Sequence, residues 1–217
     1  MLTLTEDVDV STDLTVQPGQ HVIISGTQSQ WGSGGWRITD GGSAQFDSLQ
    51  FSAGITISGG VAYIHGSSFE AIPSDRKACG QSCGSGAAGA IFVESGQLHL
   101  DGSDFVNNGG SLMMQQAGAV FVAETADVTI IRCSFTGNHL VGSGDDCNLG
   151  DCGAAIFLAV GGHLSIADTA FSGNHFGYGT SYAIGGSGAF GAGLAVVDAE
   201  AVSRQPIDVD GVSRNGR

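Results

Sequence analysis

Two aspartates and two histidines have the types and spacing that could support chemistry. Asp47, His65 and Asp101 occupy one position of a repeated segment, and His99 lies two residues before Asp101. If the segments stack as strands, these side chains lie within roughly two to three rungs of one another. Two carboxylates and two imidazoles could hold a divalent metal ion or supply an acid/base pair, with Asp47, His65 and Asp101 as the catalytic candidates. The alternative is a solvated polar face without a ligand.

A second acidic group lies in a glycine-rich stretch of the chain. Asp145, Asp146 and Asp151 surround Cys147 and Cys152. Carboxylate oxygens are the ligands that Ca²⁺ prefers, so calcium is the one cofactor for which this stretch offers candidate ligands. The alternative is a solvated acidic loop, and apart from calcium the sequence predicts no cofactor.

Four of the five cysteines form two closely spaced pairs. Cys79 and Cys83 form a C-x3-C pair, Cys147 and Cys152 form a C-x4-C pair, and Cys133 is alone. Pairs in polar insertions favour disulfides that staple loops, as in exported proteins. A four-cysteine zinc site and reduced, inert thiols are the alternatives, and zinc sites prefer C-x2-C spacing.

The charge balance limits the classes of partner. The net charge is −14, with 7 basic and 21 acidic residues. A nucleic-acid backbone would be repelled, so nucleic-acid binding is excluded, and anionic membranes and polyanionic sugars are disfavoured. Basic proteins, neutral glycans and cations remain. No apolar run reaches the ~20 residues of a membrane span. The first residues do not resemble a signal peptide, so either the protein is not exported or the chain is a mature piece of an exported, cell-surface protein, and we favour the second.

A repeated segment must position the chemical groups. Each copy starts with a small residue, alternates apolar and polar positions, and ends in phenylalanine. Alternation sends every second side chain inward, and the phenylalanines are predicted to stack as an internal ladder. The five copies are 42–51, 60–69, 96–105, 126–135 and 162–171, with ladder residues Phe51, Phe69, Phe105, Phe135 and Phe171 and inward pairs Ala44/Phe46, Ala62/Ile64, Leu98/Leu100, Val128/Ile130 and Leu164/Ile166.

The flanking residues complete a repeat of three strands. An apolar strand precedes each copy, and Asn108, Asn138 and Asn174 follow three of the phenylalanines, where we expect an amide ladder at a turn. The sequence therefore predicts an all-β fold, a right-handed single-stranded parallel β-helix with three short strands per coil and inserted loops. We assign 1–217 to one domain, with 1–34 as the N-terminal coil or cap, 35–200 as repeat coils and 201–217 as a tail or truncated continuation.

The repeats resemble those of a known family. The chain resembles the GGA[I/V/L] and FxxN repeats of chlamydial polymorphic outer membrane proteins, which have a pectate-lyase-like β-helix fold. The resemblance implies an exported passenger that acts in adhesion. The sequence departs from the family pattern at Ala154, in lacking a transporter barrel and in its cysteine-bearing insertions. The matching segments are Gly89-Ala90-Ile91 with Phe105 to Asn108, Gly118-Ala119-Val120 with Phe135 to Asn138, and Ala154-Ala155-Ile156 with Phe171 to Asn174.

A phenylalanine series in the upstream strands suggests a contact surface. If the isoleucine, leucine and valine neighbours face inward, Phe92, Phe121 and Phe157 face outward. Three stacked phenylalanines, flanked by alanines, would form an exposed apolar patch for a protein partner or self-assembly. The alternatives are that the inserted loops 71–88 and 139–153 cover the patch, or that the register is inverted. The flanking alanines are Ala90, Ala119 and Ala155.

Three functions compete on this pattern. The first is a non-catalytic, extracytoplasmic β-helix segment with a structural, assembly or adhesion role. The second is a carbohydrate-active enzyme, similar to polysaccharide lyases and hydrolases, or a glycan-binding module, using the group around Asp101. The third is an ice-binding protein. Ice binding requires a regular outward row of threonine or small polar side chains, whereas the outward rows predicted here are mixed. Polysaccharide lyases with this fold generally use a lysine or arginine as the catalytic base, and Arg37 and Arg132 are the only basic residues in predicted strands. The sequence therefore favours a protein that is not an enzyme.

Overall fold

The computed structural model describes residues 2–3, 12–31, 34–73, 89–110, 117–140, 153–159, 161–176, 182–186, 196–197, 201–202 and 207–210. This part of the chain consists of strands, turns and bends and contains no helix, and hence no helix long and apolar enough to cross a membrane. The strands are β1 (Leu2–Thr3), β2 (Leu14–Val16), β3 (His21–Trp31), β4 (Trp36–Thr39), β5 (Ser43–Phe51), β6 (Ile55–His65), β7 (Ser68–Glu70), β8 (Ile91–Asp101), β9 (Asp104–Val106), β10 (Gly109–Gly110), β11 (Val120–Ile131), β12 (Ser134–Thr136), β13 (His139–Leu140), β14 (Ile156–Leu158), β15 (His163–Ala167), β16 (Ala170–Ser172), β17 (His175–Phe176), β18 (Tyr182–Gly186), β19 (Val196–Val197), β20 (Ala201–Val202) and β21 (Ile207–Asp210).

Parallel pairing between successive repeats builds three rows of strand segments. We call them the upstream row (for example 55–57), the central row (61–65) and the Phe row (68–70). In the central row, 61–65 pairs with 43–47 on one side and with 97–101 on the other. Each segment therefore pairs with its counterparts one repeat away, and the parallel strands curl into a half-barrel. The structure confirms the predicted all-β fold and the parallel arrangement of its strands.

The core lies on the inner side of all three rows. The phenylalanine rings stack in parallel, with centroid separations of 4.6 Å for Phe51 and Phe69, 4.7 Å for Phe69 and Phe105, 4.7 Å for Phe105 and Phe135, and 5.1 Å for Phe135 and Phe171. These separations match the strand spacing of about 4.8 Å, so ring stacking and backbone pairing reinforce one another. The pairs assigned inward from alternation, Ala44/Phe46, Ala62/Ile64, Leu98/Leu100, Val128/Ile130 and Leu164/Ile166, are all buried.

A left-handed corner joins the central row to the Phe row. Gly66 and Gly102 take positive φ there, and so do Ser48, Arg132 and Asp168 at the corresponding positions of other repeats. A second left-handed corner follows the Phe row, where Asn107 has φ of 54°. Because glycine adopts this conformation without steric cost and other residues rarely do, each non-glycine corner carries some strain.

A buried amide ladder fixes the second corner. The Asn138 side chain donates to the Phe105 carbonyl at 3.0 Å and to Asn174 Oδ1 at 2.8 Å. Its own Oδ1 accepts from the backbone and side-chain nitrogens of Asn108, both at 3.0 Å. The side chains of Asn108, Asn138 and Asn174 are all buried. The ladder therefore gives hydrogen-bond partners to buried backbone groups that would otherwise have none.

A second buried ladder runs beside the first corner. The Ser67 hydroxyl accepts from the Leu49 nitrogen at 3.1 Å, and the Ser103 hydroxyl accepts from the Ser67 nitrogen at 3.2 Å. In the following repeats, the Cys133 nitrogen donates to Thr169 Oγ1 at 3.4 Å. Cys133 thus takes the place of a hydroxyl residue, and its thiol bonds to the Ile131 carbonyl at 3.3 Å.

The last repeat is paired on its far side. The strands β19, β20 and β21 run antiparallel to β18, β16 and β15, respectively. Residues 201–217 are assigned from the sequence to a tail or truncated continuation, and within them 201–202 and 207–210 form strands. These strands use backbone groups that would otherwise leave an open edge on the last repeat.

Candidate functional site

The outer face of the central row carries the side chains with chemical potential. Since 62, 64, 98 and 100 face the core, the alternating positions of β6 and β8 face outward. The register places Asp47 beside His65 and His65 beside Asp101, one rung apart each. Tyr63 pairs with His99 in the neighbouring row of side chains. The structure therefore brings together the predicted Asp47, His65, His99 and Asp101.

Asp101 is the centre of this group. Its Oδ2 lies 3.9 Å from His65 Nε2 and accepts a hydrogen bond from Arg132 Nη2. Its Oδ1 is buried and has no hydrogen-bond partner among the described residues. On the far side of His65, Gln45 Nε2 donates to Asp47 Oδ2 at 2.9 Å. The result is a polar strip in which each carboxylate is held by a neighbouring donor.

Sequence reasoning missed the role of Arg132. This residue occupies the left-handed corner, with φ of 53°, where two other repeats have glycine. The corner directs the guanidinium back toward Asp101, and the Arg132 side chain remains 63% exposed. The sequence did contain a signal for this role: in the aligned repeats, Arg132 occupies the position that holds Gly66 and Gly102 in two other copies. An arginine in a strained corner beside the Asp101 carboxylate suggests that it is there for a functional reason.

Tyr63 adds an aromatic group to the same surface. Its ring stacks on His99, with centroids 4.9 Å apart and planes 8° from parallel. It is the one large hydrophobic side chain that is exposed in the described part, at 45%.

The two aspartates of this group are too far apart to share one metal ion. Asp47 and Asp101 lie on opposite sides of His65, so their backbones are two rungs, about 9.6 Å, apart. Carboxylate–metal bonds are about 2.0–2.6 Å long, so one ion cannot readily bridge both. Within the described ranges, no group of three or more His, Cys, Asp or Glu side chains could hold a metal ion. The calcium candidates Asp145, Asp146 and Asp151 lie outside the described residues.

The predicted apolar patch is corrected by the structure. Phe92, Phe121 and Phe157 point away from the main core, as expected, but they are only 6%, 6% and 1% exposed. They pack with Ala117, Ala123 and Ala159 in a separate apolar cluster, so they do not form an exposed contact face. The flanking residues Ala90, Ala119 and Ala155 pack in the main core instead. Most of the inserted loops named as a cover lie outside the described residues.

The structure describes one of the five cysteines, Cys133. Cys79, Cys83, Cys147 and Cys152 lie outside the described residues. Cys133 is a buried free thiol. Burial disfavours its charged form and raises the pKa of Cys133 from 9.0 to about 11. This thiol is therefore neutral and unreactive near pH 7.

Comparisons with known proteins add no family assignment. No protein-family model, no curated protein and no solved structure matches this chain.

Proposed function

We propose that this protein is a right-handed parallel β-helix that acts without catalysis as an exported adhesion module, binding neutral glycans on the outer face of its central row. The observation that carries the proposal is the exposed strip formed by Tyr63, His65, His99, Asp101 and Arg132. In this proposal the stacked repeats are the rigid scaffold, and the strip is the surface that contacts the ligand.

Two structural features support the β-helix. Each of the three rows pairs in parallel with the counterpart rows of adjacent repeats. Two left-handed corners recur at equivalent positions, so the chain turns the same way in successive repeats. A chain that returns to the same row after each set of corners builds a stack in which neighbours share one core.

The chemistry of the strip suits sugar hydroxyls. A hydroxyl both donates and accepts hydrogen bonds, and the strip offers an arginine donor, two imidazoles and a phenol within a few rungs. Arg132 and His65 are both 63% exposed, so their polar atoms are accessible. The net charge of −14 disfavours polyanionic sugars and leaves neutral glycans as the matching class.

The state of Asp101 argues against catalysis at this strip. A general base must reach the proton that it removes. Asp101 Oδ2 is engaged by Arg132, and Asp101 Oδ1 is buried. Asp101 is therefore poorly placed to act as a general base, which favours a binding role over hydrolysis or elimination.

A glycan-binding experiment tests the proposal. We expect the purified chain to bind immobilised neutral glycans more strongly than sulfated or uronic-acid polymers. Arg132→Gly should weaken this binding about tenfold, since it removes one or two hydrogen bonds, each worth about 1 kcal/mol. Glycine occupies the same corner in two other repeats, so the variant should keep the fold. Tyr63→Ala should weaken binding to a similar extent.

The matched control is Ser165→Ala, which changes the same row of outward side chains two rungs beyond His99. Its affinity should equal that of the wild type. Absence of binding to any neutral glycan, or equal affinity for the three variants, would contradict the proposal. Release of oligosaccharides from a bound glycan would instead support the carbohydrate-active enzyme.

A further inference from the structure

Two histidines stand in register on a small sheet away from the Asp101 strip. His139 begins β13 and His175 begins β17, and the two residues pair directly across these parallel strands. Their rings lie 5.7 Å apart between centroids, with planes 16° from parallel. Each histidine follows the dipeptide Gly-Asn, so both enter the sheet from the same left-handed corner.

The backbone beneath both histidines is firmly anchored. The His139 nitrogen donates to the Asn108 carbonyl at 2.8 Å, and the His175 nitrogen donates to the Asn138 carbonyl at 3.0 Å. The preceding Asn138 and Asn174 belong to the buried amide ladder. A rigid backbone that holds two ligands at fixed positions reduces the ordering cost of binding.

One ring is already set in a tautomer suited to a metal. His175 Nδ1 lies 3.1 Å from the Gly173 carbonyl. A carbonyl oxygen can only accept, so Nδ1 carries the hydrogen and the neutral ring keeps its lone pair on Nε2. Histidine metal ligands commonly donate their other ring N–H to a backbone carbonyl in this way.

We propose that His139 and His175 form a binding site for a divalent transition-metal ion of the zinc, copper and nickel group. Metal–imidazole bonds of about 2.0–2.1 Å require the two coordinating nitrogens to come within about 4 Å of each other. The His139 side chain is not buried, so its ring can turn toward His175 by rotation about its side-chain bonds, while the backbone and the His175–Gly173 contact stay in place. Water completes the coordination, and the negative net charge attracts the cation.

Copper titration tests this site directly. We expect the full chain to bind one Cu²⁺ at pH 7.4 with a paramagnetic resonance signal of two equatorial imidazole nitrogens. His139→Gln and His175→Gln should each weaken this binding by about tenfold or more, the loss typical when ligand arrangements at a metal are disturbed. His21→Gln is the matched control, because it removes another histidine that is not buried, and its affinity should be unchanged.

Two results would overturn the site. One is a signal of a single imidazole nitrogen, which would indicate adventitious binding to one surface histidine. The other is equal affinity in the His139→Gln, His175→Gln and His21→Gln variants. Glycan binding by the same variants should remain at the wild-type level, so this test is independent of the proposed function.

Discussion

Single buried side chains decide whether neighbouring repeats stay together, and Asn138 is the clearest case. Its amide joins three repeats, since it contacts Asn108 on one side and Asn174 on the other. The same group satisfies the Phe105 carbonyl. A polar residue is therefore as important to this interior as the apolar residues around it.

Replacing Asn138 should be costly. Asn138→Leu removes the partners of several buried donors and acceptors, each of which costs about 1–3 kcal/mol when left unsatisfied. We expect a loss of about 4 kcal/mol in the free energy of unfolding, measured by urea denaturation. Asn107→Gly is the control, because Asn107 is exposed at a left-handed corner that glycine accommodates. A similar loss in both variants would contradict the amide-ladder account.

Cys133 should make stability depend on alkaline pH. The pKa of its thiol is raised from the ordinary value of 9.0 to about 11 by burial in the folded protein, so the folded state favours the protonated thiol. The resulting stabilisation is complete below pH 9 and is lost as the pH rises toward 11, at most about 3 kcal/mol for two pKa units. Cys133→Ser keeps a donor for the Ile131 carbonyl and lacks this titration. The wild type should therefore lose more stability than the variant between pH 9 and 11 in urea denaturation, and parallel losses would contradict the assignment.

At the scale of the strands, close backbone contact between repeats depends on glycine. A Cβ placed on Gly118 would lie 1.8 Å from the Ala154 carbonyl oxygen, far inside any real contact. The backbone just before β11 therefore approaches the backbone at Ala154 at a distance that only glycine permits. This explains the glycine before the alanine in the repeat in physical terms.

A pair of glycine substitutions separates crowding from backbone strain. Gly118→Ala should lower the free energy of unfolding by about 3 kcal/mol, because the backbone of two repeats must move apart. Gly102→Ala should cost only about 1 kcal/mol, since Gly102 has φ of +58° but no atom within 4 Å of the added Cβ. Thermal denaturation measures both. Equal losses would show that close approach is not the cause.

Much of the strand architecture was predictable from local pattern, and the outer surfaces were less so. Alternation at Leu98 and Leu100 identified the core side because each strand segment has one buried face. The burial of Phe92 depends on what lies over it, and strand periodicity carries no information about that cover. Arg132 was overlooked as a site residue because its reach to Asp101 depends on a left-handed corner rather than on spacing in the chain.

For the molecule as a whole, charge repulsion should limit stability. The chain has 21 acidic and 7 basic residues. Like charges repel one another in the folded state, and salt screens this repulsion, with a Debye length of about 10 Å at 0.1 M. We expect the melting temperature to rise by a few degrees when sodium chloride is raised from about 0.01 M to about 0.3 M. An equal osmolality of sucrose is the control, and an unchanged or lower melting temperature in salt would contradict this expectation.

Row-by-row pairing has a mechanical consequence. If the chain is pulled from its ends, neighbouring repeats detach in sequence, because each row bonds to the counterparts beside it. Paired strand residues of adjacent repeats lie 18 residues apart for Phe51 and Phe69 and 36 residues apart for Phe69 and Phe105. At about 3.6 Å per extended residue, each release would lengthen the molecule by about 65 to 130 Å. Single-molecule force spectroscopy should record a sawtooth of such steps rather than one rupture.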